Sequence, residues 1–318
     1  LIPYNYLLTR ISLEAERSTP MKLSKTAANL LLVFVTVLWG STYIFNKMVV
    51  NAGMQSGTIN AVRGAMCVAG GIILFHRQLS QATRFDIKVG LIVGLVNFCG
   101  YYLRTLGLQS TTPAKSSFIT VTYVILTPLI LWIFWHERPQ LKIIFAIPLS
   151  LAGMAILTGI TGSSWSLQSG DLITFFSAFF WALQIIIFGK YASRASSPWI
   201  IITLIGVVQV VCGTPLALTT ERASLGHIQW LQALLPLAII AVVITFAARG
   251  IQIRAQKYTD ATSASLILMS ESFFATIISV ILGYDQLSPR LVIGGLLIIM
   301  ANVIMQFNFR SSKLRVQD

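Results

Sequence analysis

Long uncharged apolar blocks limit this chain more than any other feature. Residues 26–46 carry no acidic or basic side chain, and neither do residues 116–135. In SLILMSESFFATIISVIL, residues 265–282, a single carboxylate, Glu271, interrupts the run. A bilayer core takes about 20 apolar residues per spanning helix. Soluble globular domains carry about 25% charged residues, whereas 10% of this chain is charged and 55% hydrophobic. Mean hydropathy is +0.78. These observations define an all-α polytopic membrane protein. A β-barrel is excluded, because its strands alternate apolar and polar residues in segments of roughly 10.

The formal charge of +13 over 318 residues does not indicate nucleic acid. The basic residues sit in short connections between apolar blocks, where they orient helices, and no dense basic run with interleaved aromatics occurs. Cys67, Cys99 and Cys212 all fall inside apolar blocks and read as small buried residues rather than disulfides or metal ligands. The three histidines form no metal motif, and no cofactor is expected. Residues 1–20, LIPYNYLLTRISLEAERSTP, have neither a signal peptide's apolar core nor the length of a span. Residues 1–26 are read as an N-terminal extension, with Met21 as the expected natural start.

Ten spans are expected, at 27–50, 58–75, 88–108, 111–135, 142–160, 171–190, 198–218, 231–250, 260–282 and 290–307. Pro215 and Pro236 interrupt two of them, which neighbouring helices can absorb. Lys22, Lys25, Arg77, Arg84, Arg138, Lys190, Arg194, Arg254, Lys257, Arg310, Lys313 and Arg315 lie in alternate connections and at the ends. The cationic bias puts both termini in the cytoplasm, with 309–318 as a basic tail. Shifted so that Thr111 meets Thr259, Ser117 also meets Ser265, Glu137 meets Asp285 and Gly153 meets Ala301. Five spans in each of 27–160 and 171–308 oblige the second half to enter the membrane inverted. Secondary transporters recurrently use that plan, with substrate at the midplane between repeats.

LWGSTYIFNK at 38–47, with its Trp-Gly-Ser, aromatic and lysine, resembles the drug/metabolite transporter superfamily, EamA type. So do Arg63 early in span 2, STTPAKSSFITVTYVILTPLI closing at Glu137, and FFWALQIIIFGK in span 6. The resemblance runs from residue 27 to 308. It implies a ten-helix carrier of small metabolites, often an exporter from a bacterial cytoplasm, built as two inverted repeats. Many members have Glu-Pro in the ninth helix; here the pair is Glu271-Ser272. The glutamate matches and the proline does not, which removes the sequence basis for a kink there.

Charged residues inside spans are the strongest site candidates. A charge at mid-span costs about 2.5–3.5 kcal/mol on insertion scales and marks ion or substrate paths. Glu271 is read as a group for a proton or a substrate cation, against the alternative of a protonated, hydrogen-bonded structural glutamate. Arg104 and Lys115 flank a tight outer connection against the positive-inside bias, which suits an anion-attracting vestibule. Lys47 and Arg63 either belong to that vestibule or snorkel to the interface. Trp39, Tyr43 and Asn46 share one helical face, as do Asn97 and Tyr101. Tyr123 aligns with Glu271 by the repeat, and Gln184 follows Trp181 by one turn. Together these aromatic and polar residues outline a lined cavity; singly each suits helix packing.

The function expected is a secondary active transporter of a small metabolite, amino-acid-like or an organic anion, working by alternating access in a bacterial cytoplasmic membrane. Its expected partners are that solute, lipid and protons. The rivals are a multidrug or cationic-compound carrier of the same fold, a membrane-embedded enzyme and a channel. An enzyme needs a reactive constellation, and a channel needs a repeated pore-lining motif. The spans display neither.

Overall fold

The computed structural model describes residues 24–136, 143–158, 168–191, 196–255, 258, 267–268 and 270–306. The regular elements among them are all helical. In chain order they are α1 (Lys25–Asn51), α2 (Ser56–Leu79), α3 (Arg84–Gly107), α4 (Pro113–Val121), α5 (Tyr123–Trp135), α6 (Ile143–Thr158), α7 (Ser169–Lys190) and α8 (Pro198–Leu218). There follow α9 (Arg222–Leu225), α10 (Trp230–Ala238), a π-helical stretch Ile239–Ala247, α11 (Ala248–Ala255), α12 (Glu271–Ile281) and α13 (Pro289–Gln306).

Seven helical segments among the described residues are long and apolar enough to cross a bilayer: 26–51, 56–79, 84–107, 113–135, 169–187, 198–218 and 230–252. Three shorter apolar helices, Ile144–Leu157, Glu271–Ile281 and Pro289–Ala301, accompany them. Large apolar side chains such as Ile73, Phe134, Phe145 and Leu235 stand exposed on their outer faces, as contact with lipid requires. The chain is a multi-pass membrane protein.

Local sequence explains where helices start and stop. Ser24 Oγ caps α1 by accepting from Ala27 N at 3.1 Å. Thr83 and Asp86 form a reciprocal capping box on α3, satisfying two otherwise orphaned N–H groups. Pro113 opens α4, where its missing N–H costs nothing. His136, at φ 56°, ends α5. The expected position of Glu137 lies outside the described residues.

Two expected spans carry an interior break. The stretch expected at 111–135 forms a spanning segment, 113–135, that is interrupted at Thr122. Both the N–H and the hydroxyl of Thr122 donate to Ile119 O, at 3.2 and 2.6 Å, so the i−4 ladder gives way to a tighter turn. In 260–282, Ile267 and Leu268 are helical, Ser270 is a turn, and α12 begins at Glu271. Ser270 N donates to Ile267 O at 3.0 Å, the same bond at the aligned position. The helix that carries Glu271 therefore starts after a turn at Ser270, with no proline there. The segment 231–250 also departs from a plain helix: it is π-helical from Ile239 to Ala247. Within that wide turn Thr245 Oγ1 donates to Ile240 O at 2.8 Å.

The most extensive helix pairings join the early and late parts of the chain. α2 packs on α8, α6 on α13, α3 on α7 and α8, and α1 on α12 and α11. Gly64 and Gly206 make the α2–α8 approach possible. A Cβ at Gly64 would lie 2.6 Å from Gly206 O. Gly40 does the same for α1 against α12, where a Cβ would lie 2.8 Å from Ala275 N and 2.9 Å from Glu271 O. Small residues at such crossings let backbones meet in the absence of a hydrophobic driving force. Gly40→Leu should therefore part α1 from the start of α12. The expected cost is about 1–3 kcal/mol, seen as a lower melting midpoint of the detergent-solubilised protein; an unchanged midpoint would contradict this packing.

Candidate functional site

The two helix breaks and the π-helical stretch bring four ionisable side chains into one region. Arg104, on α3, is 4% exposed. Its guanidinium carbon lies 4.7 Å from the ring centre of Tyr101, 4.9 Å from that of Tyr43 and 5.2 Å from that of Trp181. Arg63, on α2, is fully buried and lies 3.5 Å over the Tyr101 ring. Arg249, on α11, lies 5.0 Å from the Trp39 ring. Glu271, in the first turn of α12, is within electrostatic reach of Arg104 and Arg249 and faces the Tyr43 hydroxyl. Tyr123, at the head of α5, feels the charges of Glu271 and Arg249. Desolvated cation–π contacts are worth roughly 2 kcal/mol, so the rings offset part of the cost of three guanidinium groups in low dielectric.

Among the described residues several buried polar atoms here have no hydrogen-bond partner: Nε and Nη2 of Arg104, Nη1 of Arg63, both amide atoms of Asn46, Trp181 Nε1, Gln184 Nε2 and Ser272 Oγ. Buried polar groups are ordinarily satisfied, and a concentration of exceptions marks a place built for another molecule. Nε and Nη2 form the edge of the guanidinium that grips a carboxylate with two parallel bonds.

Arg63 is held differently. Its Nη2 donates to Asn60 Oδ1 at 2.7 Å and its Nε to Gln209 Oε1 at 3.4 Å. Gln209 Nε2 donates to Asn97 Oδ1 at 2.9 Å, and Asn60 Nδ2 to Ser56 O at 2.7 Å. This relay across α2, α3 and α8 sets Arg63 against Tyr101, which meets Trp181 edge-on at 4.7 Å. Asn97 is thus a support for the cluster.

The structure separates the expected cationic vestibule. Arg104 and Arg63 point into the bundle. Lys115 stays partly exposed in the first turn of α4. Half-buried Lys47 caps the end of α3, donating to Leu108 O at 2.5 Å and Thr111 O at 3.1 Å. That turn is also held by Asp171, which accepts from Thr111 Oγ1, and by Asp285, which accepts from Ala114 N at 3.1 Å. Glu221 similarly caps α2, accepting from Gly57 N, Thr58 N and Thr58 Oγ1 at 2.7–2.8 Å. These carboxylates serve helix ends.

Sequence reasoning passed over Arg249 and Gln209. Arg249 lies next to the cytoplasmic end expected for span 8, where cations are ordinary. The repeat alignment held the missed signal, since the shift that sets Thr111 on Thr259 sets Tyr101 on Arg249. A crevice of about 170 Å³ beside Thr122, walled by Ile125, Leu129, Ile147, Leu151 and Phe175, lacks charged groups and does not suit an ion. Among the described residues no His, Cys, Asp and Glu cluster could hold a metal.

A multi-pass bundle whose helices break around a buried arginine, aromatic and glutamate cluster has the build of a solute carrier. The model of the EamA-like transporter family matches residues 26–159 and again 168–307, and the chain belongs to that family, one of transporters rather than enzymes. An uncharacterized transporter of Archaeoglobus fulgidus is 30% identical over 87% of this chain and 85% of its own length. The uncharacterized transporter YvbV of Bacillus subtilis is 24% identical over 66% of this chain and 68% of its own. A solved crystal structure, 16% identical, superposes with a TM-score of 0.57, covering 89% of this chain and 98% of that one. At that identity the likeness speaks for the fold alone.

The relay predicts that Gln209→Leu, which strands Arg63 and Asn97, will cost about 1–3 kcal/mol. A melting midpoint equal to wild type would contradict it.

Proposed function

We propose that the protein is a secondary carrier of a small organic anion, amino-acid-like anions included, working by alternating access in a bacterial cytoplasmic membrane. Export follows the solute's own outward gradient. The observation that carries this reading is the charge balance of the cluster. Arg104 and Arg249 face Glu271, Arg63 lies over the same Tyr101 ring as Arg104, and among the described residues the Nε/Nη2 edge of Arg104 has no acceptor. A guanidinium buried without an acceptor is costly, and an anionic solute removes that cost. The rival reading, a carrier of organic cations, would bring a third or fourth positive charge to a site already rich in them.

In this proposal the three shorter helices complete a set of ten spans, with both termini cytoplasmic and residues 27–160 and 171–308 as inverted repeats. The double match to one family model supports the repeats. So does the pairing of helices, which falls into couples under exchange of halves: α3 with α7 answers to α11 with α1, and α5 with α7 answers to α12 with α1. The breaks at Thr122 and Ser270 also occupy aligned positions. Broken helices at the repeat interface are where such carriers bind solute, and rocking of one repeat against the other would expose the cluster to each side in turn. Tyr101, Trp181, Tyr43 and Trp39 supply flat surfaces for the solute's body. Asn46 and Gln184 supply hydrogen bonds.

Counterflow in liposomes tests the proposal. Wild-type protein loaded with an unlabelled organic acid should accumulate the labelled one. Arg104→Ala should lower that rate at least about 100-fold, equivalent to about 2.7 kcal/mol of lost binding. Counterflow unaffected by Arg104→Ala, or absent from wild type across amino acids and organic acids, would overturn it.

A further inference from the structure

The anion-carrier reading leaves one feature without a role, namely that the site holds an anion of its own. Glu271 is 7% exposed and sits where the solute's head group would go. The ionisable groups facing it come from four helices: Tyr43 on α1, Arg104 on α3, Tyr123 on α5 and Arg249 on α11. On the remaining neighbours, Lys47 of α1 faces Asp285 instead, and Lys115 of α4 stays partly exposed. Glu271 is therefore the internal counter-ion of Arg104 and Arg249. It is also the first residue of α12, whose N-cap residue, Ser270, makes no side-chain capping bond. The carboxylate thus lies at the positive end of a half-helix. Ser272 Oγ, 1% exposed and without a partner, lies in the same first turn.

We propose that the site binds an anionic head group and a proton together, the head group on the Nε/Nη2 edge of Arg104 and the proton on Glu271. A second carboxylate entering beside an ionised Glu271 meets like-charge repulsion in a low-dielectric pocket, which opposes binding. A proton taken from water by the Glu271 carboxylate removes that repulsion. It frees Arg104 and Arg249 for the incoming anion and leaves a carboxylic acid O–H able to donate a hydrogen bond to it. The solute this suits has a planar, delocalised oxyanion, carboxylate or sulfonate, that matches the guanidinium fork. It also has a flat apolar body for the rings of Tyr101 and Trp181. The order reverses when the site opens to the side where proton and solute taken together have the lower electrochemical potential: the anion leaves, Glu271 gives its proton to water and reclaims the arginines.

The sign follows by linkage. Bound solute favours protonated Glu271, so protons favour bound solute, and apparent affinity must rise as pH falls. Above the pH at which Glu271 titrates in the solute-free protein, Kd should weaken about tenfold per pH unit.

The test is equilibrium binding of benzoate, benzenesulfonate and L-glutamate to the purified full-length protein, in detergent, from about pH 5.5 to about pH 8. Benzoate and benzenesulfonate keep one charge throughout, so a pH slope belongs to the protein. Wild type should bind at least one probe more tightly as pH falls. Glu271→Gln, a fixed mimic of the protonated side chain, should bind that probe at the low-pH affinity of wild type and show no slope. Arg104→Lys, which keeps the charge and loses the fork, should weaken binding at every pH and keep the slope. A wild-type affinity that is saturable but flat, or that falls with acid, overturns proton co-binding and leaves the anion-carrier reading standing. Failure of wild type and Glu271→Gln to bind any of the three probes overturns both. Should either variant misfold, the wild-type slope alone decides.

Discussion

A buried guanidinium group has to be answered by something, and the neighbourhood of Arg104, 4% exposed in the last turn of α3, is organised around that need. Three aromatic rings from α1, α3 and α7 surround it, and Glu271 supplies the opposite charge from the head of α12. For Glu271 to be there, the helix carrying it must begin there, and α1 must lie on its backbone. Gly40 is the residue that permits this, because any side chain would strike Glu271 O and Ala275 N. The break in one helix, the glycine in another and the arginine in a third are one arrangement seen from three places.

The same logic reaches outward through Arg63. This second guanidinium is held on Nε and Nη2 by a relay of amides, Asn60, Gln209 and Asn97, with Nη1 left without a partner among the described residues, and spends its π-face contact on Tyr101. Tyr101 thereby stands between two guanidinium groups. The other carboxylates of the described residues stay at helix ends: Asp86 on α3, Asp171 and Asp285 on the turn before α4, and Glu221 on α2. Among the described residues this leaves Arg63, Arg104 and Arg249 inside with a single carboxylate, Glu271.

Much of the fold was legible because a bilayer imposes a simple rule on sequence. Apolar blocks of spanning length mark helices, and seven of the ten expected blocks are long, apolar helices. The family resemblance read from LWGSTYIFNK and its companions matches the family model found across both halves. Less legible was the interior of each span. The break at Thr122 depends on a hydroxyl choosing Ile119 O over solvent, and the break before Glu271 needs no proline, so neither has a composition signal. Arg104, Tyr43, Tyr101 and Trp181 were singled out from sequence and converge in the structure. Lys47, singled out as a charge near a span's end, bonds Leu108 O and Thr111 O, because a cation there can cap a helix as readily as face a cavity. Arg249 was passed over because cations are expected where it occurs; only its three-dimensional closeness to Trp39 and Glu271 distinguishes it.

The central claim is that this cluster lies on the solute's path and opens to water during the cycle. Cysteine labelling tests it most directly. Cys67, Cys99 and Cys212 would be replaced, Ser272→Cys introduced, and the protein treated in sealed liposomes with a membrane-impermeant thiol reagent. The account predicts that the buried position reacts, at a rate set by opening of the bundle, and that a bound organic acid slows it. A position that no reagent reaches from either side, with transport intact, would place the path elsewhere and contradict the account.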